Sequence, residues 1–107
     1  MKKFDEKLYL ADMYEDEYFP DFLVDKIKIL LQSVVTYLEN SEHSLEEIQL
    51  KFDEITESIN VLNEEFHENE SELETVARES IGETVDFILQ HFNLDIDVEE
   101  AIRNRDW

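Results

Sequence analysis

Hydrophobic residues recur along the chain at steps of three and four, which is the period of an amphipathic α-helix. The first long stripe runs from Leu23 to Leu38 and covers much of the helix circumference, so it predicts the most buried helix of the fold. Pro20 suits the first turn of a helix, and Asp21 and Asp25 follow where carboxylates interact favourably with the helix dipole. We therefore expect the first long helix to begin at Pro20.

A second stripe follows Ser44 and Glu47, whose spacing is that of a capping box. Its apolar positions again alternate steps of three and four: Leu45, Ile48, Phe52, Ile55, Ile59, Leu62 and Phe66. This pattern predicts a second helix of about six turns.

Ser71 and Glu74 repeat the capping-box spacing before a third stripe. Its apolar positions are Leu73, Val76, Ile81, Val85, Ile88 and Phe92. Because few residues join them, we expect the second and third helices to pair antiparallel. Gly82 interrupts the third stripe; we favour close approach of another helix there over a local kink.

Two shorter helical segments are predicted outside these stripes. One covers Phe4 to Met13, and the other covers Val98 to Asn104, with Asp97 and Glu100 as its cap. One Gly and one Pro in 107 residues leave little material for hairpin turns. The sequence thus predicts one all-α domain over residues 1–107, a compact bundle of three long helices with short N- and C-terminal helical segments.

Composition excludes several classes of protein. The chain has no cysteine, which removes disulfides, thiolate metal sites and cysteine nucleophiles. The run Met1 to Glu6 leads into acids and does not resemble a secretory signal. The apolar run Phe22 to Leu38 is interrupted by charges and is not expected to span a membrane. We expect a cytoplasmic protein.

The charge balance is strongly acidic, with a formal net charge of −20. Such a charge repels phosphate backbones and anionic lipid surfaces, so direct binding to nucleic acid or membrane is not expected. The segment Glu39 to Thr75 holds 13 Asp or Glu residues, with Lys51 its only Lys or Arg. This segment is the electrostatic focus of the chain.

The acids between the stripe positions of the second helix, or beside the turn that follows it, form a predicted partner-binding face. They are Glu46, Glu47, Asp53, Glu54, Glu57, Glu64, Glu65, Glu68 and Glu72. The sequence favours a non-enzymatic binding or regulatory protein that engages a basic partner there. Two other interpretations stay open: a solvated face that aids solubility, and a homodimer that buries the apolar surface of the first helix.

One run of the sequence resembles a small bacterial family known only as a domain of unknown function. The resemblance is carried by Met13-Tyr14-Glu15-Asp16-Glu17-Tyr18-Phe19-Pro20-Asp21-Phe22-Leu23-Val24-Asp25-Lys26 and by the closing Asn104-Arg105-Asp106-Trp107. It spans most of the chain and implies a bacterial source and a compact helical protein. It implies no activity whose residues could be assigned here.

The aromatic residues of that run allow two interpretations. Tyr14, Tyr18, Phe19 and Phe22 are spaced to close one end of the bundle, which we favour, or to form an exposed surface that docks a partner. Trp107 presents the same choice, and we expect it to cover an edge of the core.

No enzyme signature is present in the sequence, and we expect no catalysis, no cofactor and no bound metal. One Gly excludes a glycine-rich phosphate loop, and the serines lie in no nucleophile-elbow context. The alternative is a metal-dependent or otherwise cryptic enzyme with a His/carboxylate site. His43 and His91 would meet at one end of the proposed helix pair, near Glu39 and Glu42, with His67 at the other end.

Overall fold

Within residues 3–107, the part of the chain that the computed structural model describes, the fold consists of helices and the turns between them. Met1 and Lys2, which open the N-terminal run discussed above, lie outside that range. A 3₁₀ turn spans Glu6–Leu8, and helices α1 to α5 span Ala11–Glu15, Asp21–Asn40, Leu45–Glu68, Thr75–His91 and Val98–Ala101. The all-α prediction is confirmed, with three long helices and shorter segments at both ends.

The predicted starts of α2 and α3 are correct. Helix α2 begins directly after Pro20. Helix α3 begins with a complete capping box: the Glu47 backbone N–H donates to Ser44 Oγ at 3.1 Å, and the Ser44 N–H donates to Glu47 Oε1 at 2.9 Å. Each side chain thereby satisfies a backbone donor that the helix itself leaves unpaired.

The capping box predicted at Ser71 and Glu74 is wrong. Helix α4 begins later, at Thr75, and its N-cap residue Glu74 makes no side-chain capping hydrogen bond. Ser71 instead completes the end of α3, because its backbone N–H donates to the Phe66 carbonyl oxygen at 2.8 Å. The Ser71 hydroxyl is buried and has no hydrogen-bond partner within residues 3–107.

Helices α3 and α4 end in the same way, with a residue in the left-handed region. These residues are Glu70, with φ 58°, and Asn93, with φ 53°. After each, the next N–H reaches back to the last turn: Ser71 as described, and Leu94, which donates to the Leu89 carbonyl oxygen at 2.9 Å. This is the Schellman arrangement, in which glycine is the preferred left-handed residue.

Helices α2 and α3 form an antiparallel hairpin and are the most closely packed pair. Lys26 near the start of α2 contacts Glu65 near the end of α3, with Nζ and Oε2 2.7 Å apart. At the other end, the Lys51 ammonium lies 5.6 Å from the centre of the Tyr37 ring. The shared core of the hairpin contains Ile27 of α2, which is fully buried.

The expected pairing of α3 with α4 is wrong. Helix α4 packs mainly against α1 and α5, while α5 also contacts α3. The reason is that the C-terminal segment hydrogen-bonds along α3: Gln49 Nε2 donates to the Glu100 carbonyl oxygen at 2.9 Å. That segment therefore lies along α3.

Most stripe residues are buried, as predicted, and Phe52, Phe66 and Ile81 are among the most buried side chains. Others, such as Leu62 and Phe92, are half-buried, and Leu45 and Val76 are exposed, each in the first turn of its helix. Gly82 does not mark close packing either. A Cβ built on Gly82 meets no described atom within 4 Å, beyond its own neighbours and helix backbone.

The short terminal segments are only partly as expected. The predicted Phe4 to Met13 helix is interrupted at Leu10, whose φ of 51° places it in the left-handed region before α1. At the other end, Asp97 caps α5 by accepting from the Glu99 N–H at 3.1 Å. Helix α5 then stops at Ala101, three residues before the predicted end, and the chain continues through turns to Trp107.

Candidate partner-binding face on α3

The apolar stripe of α3 faces the core, so the opposite side of this helix is turned outward. Most of the acids predicted to bind a partner are exposed there or at the following turn: Glu46, Glu47, Glu54, Glu57, Glu64, Glu68 and Glu72. Glu65 is half-buried. The structure therefore brings eight of the nine proposed acids to the surface, wholly or in part.

Asp53 is the exception, and its assignment to an exposed face is wrong. The residue is only 8% exposed. Two nitrogens of Arg103 donate to its carboxylate: Nε to Oδ1 at 3.1 Å and Nη2 to Oδ2 at 2.7 Å. Gln49 Nε2 also donates to Oδ1, at 2.9 Å. The hydrogen bonds from Arg103 hold the pKa of Asp53 below its usual range, although burial opposes this effect.

Like Asp53, Glu57 and Asn60 hold the C-terminal segment against α3. Asn104 Nδ2 donates to Glu57 Oε2 at 3.0 Å, and Asn60 Nδ2 donates to the Asn104 carbonyl oxygen at 2.9 Å. The Asp106 N–H donates to Asn60 Oδ1 at 3.0 Å. Trp107 is then buried, as expected for a side chain that covers the core. Changing Asp53 or Glu57 would therefore disturb the fold as well as the acidic face.

Other acids of the face have identified neighbours. Glu65 pairs with Lys26, as described for the hairpin, and Glu54 Oε1 lies 3.7 Å from Lys51 Nζ. Glu72 Oε2 lies 3.6 Å from His67 Nε2. Glu47 belongs to the capping box, whose hydrogen bonds from Ser44 lower its pKa.

The contacts described so far do not involve three acids of the predicted face: Glu46, Glu64 and Glu68. Within residues 3–107 they make no side-chain hydrogen bond and no ion pair, and all three are exposed on α3. Glu46 lies in the first turn of α3, where a carboxylate interacts favourably with the helix dipole, whereas Glu64 and Glu68 lie beyond that turn. These three acids, together with the weakly paired and exposed Glu54, define what is called the outward face below.

Two exposed apolar residues of α3 are not among the predicted site residues. Leu50 is 60% exposed and Val61 is 67% exposed. Neither lies at a position of the apolar stripe of α3. An apolar residue outside the stripe is expected to face solvent, and this is the sequence signal that could have identified both residues. Both lie on the edge of α3 that borders α2, where the surface is concave.

Two depressions line that border. One, of about 320 Å³, is lined by Lys26 and Leu30 of α2 and by Ser58, Val61 and Leu62 of α3. The other, of about 340 Å³, is lined by Tyr37, Glu47, Leu50, Lys51 and Glu54. Both lie along the border between α2 and α3, and the surface that carries them is called the hairpin groove below. Its lining combines the apolar side chains with Lys26, Lys51, Glu47 and Glu54.

The aromatic segment divides between the two interpretations. Phe19 is buried, with its ring centre 6.4 Å from that of Phe66, so it closes the end of the bundle as favoured. Tyr14 is half-buried and donates to Asp25 Oδ1 at 2.7 Å; burial and this hydrogen bond raise the pKa of Tyr14. Tyr18 and Phe22 are 43% and 54% exposed, so only these two face solvent.

The histidines have separate surroundings. His43 stacks on Tyr37 with ring centres 3.8 Å apart, and its Nε2 lies 3.1 Å from the Tyr37 carbonyl oxygen. His91 packs against Phe4 and Phe92. Residues 3–107 contain no group of three or more His, Asp or Glu side chains placed to hold a metal ion. Across the same residues, no helix combines the length and the apolar character that crossing a bilayer requires.

Comparison with known proteins identifies a family. The model of a family of unknown function, DUF5713, matches residues 3–107. No curated protein and no solved structure matches the chain.

Proposed function

This chain belongs to DUF5713, a family of unknown function, and we propose that it is a non-enzymatic binding protein that engages a basic partner through the outward face of α3. The observation that carries this proposal is the line of exposed acids Glu46, Glu54, Glu64 and Glu68, of which only Glu54 has an ion-pair partner within residues 3–107. Lys51 is the only Lys or Arg between Glu39 and Thr75, so little positive charge in that segment offsets them.

The spacing of these acids supports an extended contact. At a rise of about 1.5 Å per residue, Glu46 and Glu68 are roughly 33 Å apart along α3. A line of negative charge of that length attracts a basic surface before contact and favours one orientation of it. We expect this attraction to raise mainly the association rate constant of the basic partner.

The face can be tested without disturbing the attachment of the C-terminal segment. We would replace Glu54, Glu64 and Glu68 together with Lys, which leaves Asp53 and Glu57 intact. The control variant replaces Glu17, Glu83 and Asp95 with Lys; these acids are also exposed but lie outside α3, Glu83 on α4 and the other two in connecting segments. Both variants change the net charge equally, so a difference between them reports the position of the charge.

The measurement is recovery of basic proteins from a lysate of the source cell at low salt, by mass spectrometry, on immobilised wild type and on both variants. We expect a specific partner to be retained by wild type and by the control variant and to be lost from the Glu54, Glu64 and Glu68 variant. Equal retention on all three proteins would refute the proposal, because binding would then not depend on the outward face. A chain that instead only self-associates would also refute it.

The exposed pair Tyr18 and Phe22 supports a second candidate surface. Their rings present aromatic area to solvent at the start of α2, next to Asp21 and Asp25. A partner whose retention survives the α3 reversal but is lost on replacing Tyr18 and Phe22 with Ser would favour this surface over the outward face.

A further inference from the structure

We propose that the partner segment is a basic amphipathic helix, seated in the hairpin groove with its apolar side on Leu50 and Val61 and its basic side toward the acids of α3. This inference rests on the proposed function and adds the shape and chemistry of the ligand. Electrostatic attraction alone would allow any basic surface to bind, whereas the hairpin groove also requires apolar side chains on the partner.

The first step is the exposure of apolar side chains inside an acidic surface. Leu50 and Val61 remain 60% and 67% exposed although both belong to a helix whose other outward residues are mostly charged or polar. Leu30 and Leu62, which are half-buried, form the floor beside Val61. Covering these side chains would remove apolar surface from water, which is the main favourable term in most protein association.

The second step is the spacing of the two depressions. Leu50 and Val61 mark one depression each, and eleven residues of α3 separate them, which is three helical turns or roughly 16 Å. A partner helix that runs along the groove repeats its own face at the same interval. We therefore expect its two main anchors at positions i and i+11, with a smaller apolar residue at i+4 or i+7 between them.

The third step is the charge around the groove, which selects the occupant. Lys26 and Lys51 lie inside it, but each already contacts an acid of α3, namely Glu65 and Glu54. The remaining charge along the α3 edge is negative. A second copy of this chain would bring another net charge of −20 against that edge, so repulsion disfavours a homodimer through this groove. Arg and Lys on the flanks of an apolar helix face complement it.

The test uses two synthetic peptides of about 20 residues with identical composition, made of Lys, Arg, Ala and Leu. One places its Leu residues at i, i+4, i+7 and i+11, so that they form a single helix face. The other disperses the same Leu residues around the helix. Fluorescence anisotropy of the labelled peptides, titrated with the full chain, gives the affinity of each.

Two chain variants accompany the peptides. The test variant carries Leu50→Ser and Val61→Ser, and the control variant carries Leu45→Ser and Val76→Ser. Each replaces one exposed Leu and one exposed Val and leaves the net charge unchanged; Leu45 and Val76 are 47% and 36% exposed. Circular dichroism verifies that both variants retain the helical fold.

We expect the amphipathic peptide to bind the wild type and the control variant at least about tenfold more tightly than the dispersed peptide. The test variant should lose that preference and bind both peptides equally. Methyl chemical shifts of Leu30 and Leu62 should move only with the amphipathic peptide. Equal, salt-sensitive binding of both peptides to the wild type would overturn the groove inference while leaving the acidic face supported. Absence of binding by either peptide at low salt would count against both.

Discussion

The Thr84 hydroxyl group of α4 fixes the backbone of Leu10, 74 residues away in the sequence. Its oxygen accepts a hydrogen bond from the Leu10 N–H at 2.9 Å, and the hydroxyl donates to the Leu8 carbonyl oxygen at 3.1 Å. Leu10 has a φ of 51° and is fully buried. One side chain thus satisfies both backbone groups at the turn that interrupts the N-terminal helical segment.

Replacement of Thr84 by Val should lower the free energy of unfolding by about 1–3 kcal/mol. Val has nearly the same shape but leaves a buried donor, the Leu10 N–H, and a partly buried acceptor, the Leu8 carbonyl oxygen, without their partner. Urea denaturation followed by circular dichroism measures the change, and Thr36→Val on the exposed side of α2 is the matched control. A Thr84→Val variant as stable as that control would contradict the role assigned to the hydroxyl.

The Asp53–Arg103 pair should make part of the stability depend on pH. Because the pKa of Asp53 is lowered in the folded chain, the pair's contribution is present above pH about 4 and is lost as pH falls through the lowered pKa. At pH 7, Asp53→Asn should lower the free energy of unfolding by about 1–2 kcal/mol, toward the low end because Arg103 is partly exposed.

That difference between wild type and Asp53→Asn should shrink as the pH falls below about 4, the ordinary pKa of Asp, and on through the lowered pKa of Asp53, because protonation makes this side chain neutral like that of Asn. Denaturation curves from pH 7 to pH 2 measure it. Glu64→Gln, which changes an exposed acid inside the same helix, should show no comparable gap at pH 7. If the difference in free energy of unfolding between wild type and Asp53→Asn stays unchanged in acid, the charged pair is not its cause.

Replacement of Gly82 by Ala should stabilise the chain by about 0.5–1 kcal/mol. Gly82 lies inside α4, has no positive φ, and leaves room for a Cβ among the described atoms. Ala therefore gains helix propensity at no steric cost. The midpoint of thermal unfolding should rise; a fall would reveal close packing at Gly82 that this structure does not contain.

Glu70→Gly should also stabilise the chain, by about 0.5–1 kcal/mol, since a left-handed residue other than Gly carries a steric penalty. Asn93→Gly is the internal comparison at the end of α4 and should gain less, because Asn tolerates the left-handed region better. The same denaturation measurement decides: a destabilised Glu70→Gly variant would mean that the Glu70 side chain holds the turn.

The sequence was informative where one periodic signal outweighed its competitors. The stripes of α2 and α3 located both helices, and the Ser44 and Glu47 spacing located a real cap because an apolar stripe followed it directly. The equal spacing of Ser71 and Glu74 misled, because the left-handed Glu70 lets the end of α3 use Ser71 first. The spacing of residues in the sequence does not show whether a residue between two helices will hydrogen-bond to the end of the first or to the start of the second.

The candidate face was harder to derive, since it depends on contacts distant in the sequence. Asp53 and Glu54 are adjacent acids, yet only Asp53 meets Arg103, 50 residues later. Charge pattern alone does not distinguish them. Leu50 and Val61 were visible as apolar residues off the stripe, but the concave surface beside them exists only once α2 and α3 have paired.

The most direct test of the central claim is the association rate constant for the basic amphipathic peptide, measured by stopped flow at low salt and at about 0.15 M salt, where charges beyond roughly 8 Å are screened. The wild type and the Glu17, Glu83 and Asp95 reversal should bind rapidly at low salt and more slowly as salt is added. The Glu54, Glu64 and Glu68 reversal, of equal net charge, should bind slowly at both salt concentrations. Indistinguishable rate constants for the two reversals would contradict the claim that the outward face of α3 recruits the partner.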